Sequence, residues 1–160
     1  MNARPCGNFS PVLEQLENDY ELQLRVIFRE FPMPMHKHAI DAARAAEAAG
    51  LQGQFWEMHD MLYDNRFSWP GSADVRAVFA DYANTLKLDV ARFKQDLDGS
   101  QVDGRIKADK DRATSLGVDR TPTLFINDRQ LPVTSFNPKG LRDTIDAGAK
   151  SATATSKPKG

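Results

Sequence analysis

Residues 117–128, GVDRTPTLFIND, decide the fold class of this chain. Gly117 is typical of a helix end, and the apolar run after Pro122 predicts a short buried strand. Asn127 and Asp128 are residue types that favour tight turns, and the strand pattern resumes after them. The stretch therefore predicts a helix end, a strand and a β-hairpin in direct succession.

Helical patterns occupy most of the chain on the N-terminal side of this stretch. Residues 36–49 are alanine-rich and end at Gly50, and GQFWEMHDMLYDN forms the next amphipathic pattern. Ser72 and Asp89 are candidate caps for two further helices, and a longer helix runs from residue 100 to Gly117. On the C-terminal side, Asn137 is placed to cap a last helix.

The N-terminal segment adds one helix and one strand. Residues 11–20 give an apolar stripe, with Ser10 as a cap and Pro11 at the first position. The helix can instead begin near Pro5 and carry Pro11 as a kink. In Leu24–Phe28 apolar and charged residues alternate and β-branched and aromatic types are frequent, which predicts a strand. The resulting order predicts an α/β arrangement with a large helical insertion.

Composition limits the class of protein. The length suits one domain, which we place at residues 1–150, followed by a small and polar tail, 151–160, predicted to be disordered. The net charge of −1 gives no reason to expect nucleic acid as a partner. No apolar run approaches the ~20 residues that span a bilayer, and no signal peptide is visible. The single cysteine, Cys6, excludes an internal disulfide.

Four stretches together resemble the DsbA-like branch of the thioredoxin superfamily. They are PCGNFSPVLEQL, RVIFREFPMPMHKHA, AAGLQGQFWEMHDMLYDN and GVDRTPTLFIND, and the resemblance runs from about Pro5 to about Ala149. The first resembles the second half of a C-P-x-C active-site helix, and the last resembles a loop whose cis-proline faces the active site. The resemblance implies a thioredoxin-like fold with a helical insertion.

The resemblance also implies thiol–disulfide exchange with protein substrates and a redox partner protein, without a metal or a bound cofactor. Cys6 then takes the second, resolving position, and Ala3 stands where the nucleophilic cysteine belongs. Because alanine has no sulfur, we expect impaired activity in this chain. Thr121 and Pro122 are expected to face the substrate, across a cis peptide bond. The alternative is a non-catalytic peptide-binding or structural domain on the same fold.

One departure from the family concerns the first central strand, which precedes the active-site helix in relatives. Only five residues precede Cys6, so the strand between Leu24–Phe28 and Thr123–Ile126 has no counterpart. Since neighbouring strands lie ~4.8 Å apart, an empty slot leaves backbone groups too far apart to pair. A truncated start or a repacked domain would explain this, and we favour truncation because the pattern is kept after Cys6. Open apolar edges favour self-association.

Simpler interpretations stand beside these. Cys6 can be a small buried hydrophobe, and Pro122 can be a trans proline that opens a strand. His36, His38 and His59 are a weak metal signal, against a helix N-terminal turn and a histidine packed beside Trp56. The charges of residues 103–112 are expected to form a solvated face. The family commonly works in the periplasm or cell envelope, but no compartment follows from the sequence itself.

Overall fold

The computed structural model describes residues 9–155. These residues divide into two compact units, one made of Phe28–Asp119 and the other of residues 9–27 together with 120–155. The first unit is thus inserted in the chain between the two parts of the second. This is the helical insertion predicted from the order of elements, and the single domain placed at residues 1–150 is divided between the two units.

The inserted unit is helical. Its helices are α2 (Ala39–Gly50), α3 (Phe55–Asp64), α4 (Val75–Thr85), α5 (Val90–Asp96) and α6 (Ser100–Ser115), with a 3-10 turn at Trp69–Gly71. Helix α2 carries seven alanines, and six of them lie in the buried core of the unit. Because alanine side chains are small, they let α3, α4 and α6 approach the α2 backbone closely. Phe79, Phe93 and Met58 fill the space between these helices and are fully buried.

The other unit contains α1 (Ser10–Tyr20), β1 (Phe125–Ile126), β2 (Arg129–Gln130) and α7 (Pro138–Thr155). Short 3-10 turns lie at Glu21–Gln23 and Val133–Ser135. Four buried side chains form its core: Leu16, Leu131, Leu141 and Ile145. They bring the middle of α1 and the first turns of α7 against the hairpin.

The strand predicted at Leu24–Phe28 is not formed. Burial still alternates as the pattern required, with Leu24, Val26 and Phe28 half-buried and the residues between them exposed. However, residues 24–28 make no backbone–backbone hydrogen bond with any other described residue. A strand is defined by such pairing, so an alternating sequence without a neighbour remains irregular chain.

Three local predictions differ in detail from the structure. Asp74, and not Ser72, caps α4, and its Oδ1 accepts a hydrogen bond of 3.0 Å from Ala77 N. The strand after Pro122 is only two residues long, and Phe125 is 36% exposed, so it is not a buried strand. Helix α7 continues to Thr155, so the first five residues of the predicted disordered tail are helical.

Candidate functional site

The β-hairpin is built by its turn. Phe125 pairs with Gln130 and Ile126 with Arg129, which leaves Asn127 and Asp128 as the two turn residues. Both have positive φ, 46° and 64°, as a two-residue hairpin turn of this hand requires. Asparagine and aspartate tolerate this region better than other side chains, which is why the sequence located the turn correctly.

The segment before the hairpin contains the predicted substrate-facing residues. The Thr121–Pro122 peptide bond is cis, as the sequence predicted. Thr121 is exposed and Pro122 is half-buried, while Thr123 Oγ1 donates a hydrogen bond of 2.7 Å to the Arg120 carbonyl. Beyond it, Leu131 N donates to the Leu124 carbonyl at 2.9 Å, and this bond joins the segment to the hairpin.

Helix α1 is fixed at its C-terminal end by polar contacts with α7. Asp19 pairs with Arg142, whose guanidinium, with help from Gln15, holds the pKa of that carboxyl below its usual value. Tyr20 donates its hydroxyl hydrogen to Asp146 Oδ1 at 2.8 Å, which raises the pKa of the phenol. These contacts hold α1 against α7. The predicted redox residue, Cys6, precedes α1 in the chain.

The two predicted active-site positions, Ala3 and Cys6, lie outside the described residues. Cys6 is four residues before Ser10, the first residue of α1. The sequence predicted Ser10 as the cap of this helix, but Ser10 is its first helical residue. Phe9 is the capping residue, without a side-chain cap, and its ring meets Phe136 edge to face at 5.6 Å.

The histidines have separate roles within the inserted unit. His59 is buried, and its ring centroid lies 5.2 Å from that of Trp56, as the simpler interpretation predicted. His38 has a positive φ of 65° and caps α2, with Nδ1 3.6 Å from Asp41 Oδ2. Across residues 9–155, no group of three or more His, Cys, Asp or Glu side chains could hold a metal ion.

Sequence reasoning missed one polar cluster in the inserted unit. Asp109, assigned to a solvated face, is 9% exposed, and accepts hydrogen bonds from Arg29 Nη1 and from Glu30 N, both at 2.9 Å. Glu30 is itself buried. The signal was present, because Glu30 has the same parity as Val26 and Phe28 and therefore belongs to the inward side of that segment.

The family model described as Thioredoxin matches residues 4–147. Among named proteins, Na(+)/H(+) antiporter NhaA 3 of Salinispora tropica is 39% identical over 126 residues, which are 78% of this chain and 18% of that protein. An antiporter NhaA of Herminiimonas arsenicoxydans is 34% identical over 126 residues, or 79% and 19% of the two chains.

The chain therefore spans about a fifth of the length of these relatives. Within residues 9–155 no helix is both long enough and apolar enough to cross a membrane. Among solved structures, a thioredoxin-like oxidoreductase from Silicibacter pomeroyi DSS-3 matches with a TM-score of 0.73 and 25% identity, over 91% of this chain and 80% of that one. This likeness shows that the fold is thioredoxin-like, as the sequence predicted.

Proposed function

Because this chain belongs to the thioredoxin family, over residues 4–147, we propose that it takes part in thiol–disulfide exchange with protein cysteines through Cys6. The observation that carries the proposal is the position of the single cysteine, three residues after Ala3 and just before α1, where the family resemblance puts the resolving cysteine. The exposed Thr121 and the adjacent Pro122 are proposed to contact the substrate.

The chemistry available to one cysteine is half of the full cycle. The Cys6 thiolate attacks a sulfur of a partner disulfide, a new disulfide joins Cys6 to that sulfur, and the other sulfur leaves as a thiolate. In a two-cysteine site, a cysteine at position 3 would either form the mixed disulfide itself or attack the one formed by Cys6. Ala3 has no sulfur and can do neither. Release therefore requires a thiol from another molecule, and we expect slow stoichiometric exchange in place of efficient turnover.

The test uses the full chain and three variants. Incubated with glutathione disulfide, the wild type is expected to gain one glutathione at Cys6, seen by mass spectrometry, and Cys6→Ser none. Oxidation of a reduced dithiol peptide in a glutathione buffer is expected to show no multiple turnover with the wild type. Ala3→Cys, which restores a two-cysteine site, is expected to gain turnover, and Ala3→Ser is its matched control.

Two outcomes would contradict the proposal. One is multiple turnover by the wild type that disappears in Cys6→Ser. The other is an Ala3→Cys chain that forms no internal disulfide with Cys6 and gains no activity, which would favour the second candidate, a non-catalytic peptide-binding domain. That candidate is supported by Ala3 itself. It predicts that a cysteine-free peptide binds the wild type and Cys6→Ser equally well.

No transport activity is proposed for this chain. The relatives named as antiporters are about five times longer than the matched segment. Their names therefore describe whole proteins, and this chain resembles only a small part of each. A periplasmic or cell-envelope location is proposed on the family resemblance alone. Localisation of a tagged full-length gene product in its own cell would test it.

A further inference from the structure

Glu30 lies in a small cavity inside the helical unit. The residue is 6% exposed, and the cavity, of about 20 Å³, is lined by Phe28, His59 and Tyr63 together with alanines of α2 and Leu62. A volume of about 10–15 Å³ by this measure holds one water molecule, so the cavity is of the size of one or two waters. Apart from Glu30, His59 and Tyr63, the lining residues are apolar: Phe28, Leu62 and three alanines of α2.

Within residues 9–155, no cation is among the groups that act on the carboxyl of Glu30. Two acidic groups close by, Glu47 of α2 and Asp109 of α6, repel a negative charge on it. Burial, reinforced by these two carboxylates, raises the pKa of Glu30 to about 8. The arginines that contact these carboxylates are already paired, Arg105 with Glu47 at 3.2 Å and Arg29 with Asp109 at 2.9 Å.

His59 of α3 lines the same cavity, and it does not supply a positive charge to the Glu30 carboxyl. Burial lowers the pKa of His59, although Asp60 Oδ1 lies 2.9 Å from its Nδ1 and acts in the opposite direction. The imidazole is therefore uncharged near neutral pH. The third titratable group on this wall, Tyr63, is buried.

Residues 28–30 are held in place by contacts of Phe28 and of Glu30, the two residues next to Arg29. The Phe28 ring lies 4.7 Å from the ring of His59 and 6.4 Å from that of Trp56, both edge to face. Glu30 N donates to Asp109 Oδ2 at 2.9 Å. Glu30 and Phe28 line the same cavity and are two residues apart, so a displacement of the carboxyl acts on the short backbone segment that carries both.

We propose that Glu30 is a proton-operated latch on residues 28–30. With its proton, the carboxyl stays in the cavity and Phe28 stays against α3. When the proton is lost, a buried carboxylate beside two other acidic groups is strongly disfavoured, so it moves to water and draws Phe28 away from His59 and Trp56. These residues are the first of the helical unit after the chain leaves Ile27 of the other unit, so the latch acts on the connecting chain.

The experiment follows the full chain by NMR between pH 5 and pH 9. The side-chain carboxyl ¹³C of Glu30, the Glu30 amide and the Trp56 indole are expected to shift together with one midpoint near pH 8. In Glu30→Gln, which keeps the shape and cannot ionise, the Trp56 indole is expected to hold its low-pH position throughout. Glu57→Gln, an exposed position on α3, is the matched control and is expected to titrate as the wild type does.

Two results would overturn the latch. A Glu30 carboxyl that is already mostly ionised at pH 5, as its usual pKa of 4.5 requires, would show that it is not held in the cavity. A carboxyl that titrates near pH 8 while the amide and the indole do not move would show a buried acid without a latch. Glu30→Leu serves as a second non-ionising variant. If both variants fail to fold, the three wild-type midpoints still decide between these results.

Discussion

Replacing Asp109 with alanine is expected to destabilise the helical unit by about 2–3 kcal/mol. Asp109 is 9% exposed and accepts two hydrogen bonds, one from the buried Glu30 N–H and one from Arg29. An unsatisfied buried N–H costs about 1–3 kcal/mol, and that cost is the larger part of the effect. The side chain of Arg29 is 55% exposed, so loss of its ion pair adds only about 0–1 kcal/mol.

The assay is urea unfolding followed by tryptophan fluorescence at pH 6. Both tryptophans of the chain, Trp56 and Trp69, lie in the helical unit, so their emission reports on the unit that Asp109 stabilises. At this pH Glu30 keeps its proton in the folded chain, which separates the lost hydrogen bonds from its titration. In a thermal melt the same loss corresponds to about 5–10 °C, at ~2–4 °C per kcal/mol for a chain of this size.

Asp111→Ala is the matched control. Asp111 lies two positions further along the same helix and is 63% exposed, and its ion pair with Lys107 is worth at most a few tenths of a kcal/mol by the usual measure of exposed pairs. The reasoning is refuted if Asp109→Ala and Asp111→Ala are equally stable. Asp109→Asn, which keeps one acceptor oxygen, is expected to fall between Asp109→Ala and the wild type.

Three further predictions concern other parts of the chain. Glu30 keeps its proton up to a pKa of about 8 when folded but ionises near 4.5 when unfolded. The free energy of unfolding should therefore fall by up to about 1.4 kcal/mol per pH unit between pH 5 and 8, and this fall should be clearly smaller in Glu30→Gln. Equal stability of the wild type at pH 5.5 and pH 8 would refute this prediction. Asn137→Ala should cost about 1 kcal/mol, measured by circular dichroism, because Asn137 Oδ1 accepts from Gly140 N at 2.9 Å; an unchanged midpoint would contradict the cap. Residues 24–28 form no backbone pairs with the rest of 9–155, so we expect concentration-dependent self-association in sedimentation. Ile27→Lys, at a side chain 56% exposed, should reduce it and Arg25→Lys should not; a wild-type monomer at every concentration would refute it.

The sequence by itself determined the features that depend on a few neighbouring residues. Asn127 and Asp128 placed the hairpin turn because their side chains tolerate positive φ, and Asp89 and Asn137 placed two helix starts because each side chain caps a backbone N–H three residues on. The helical periods located α1 to α7 to within a few residues. The four sequence motifs that resemble the DsbA-like family predicted the thioredoxin-like fold, and the structural likeness confirms that fold.

Only the tertiary structure decided what depends on distant partners. Leu24–Phe28 has a strand pattern but no neighbour in the described chain to pair with, and no local signal states whether a neighbour exists. Asp109 and Glu30 are 79 residues apart in the chain. From the sequence each is only a polar residue in a helical or an alternating pattern, and their hydrogen bond forms only in the folded chain. A buried hydrogen bond or a raised carboxyl pKa belongs to a pair of segments, because burial and charge act through space, whereas capping and turn preferences act along the chain.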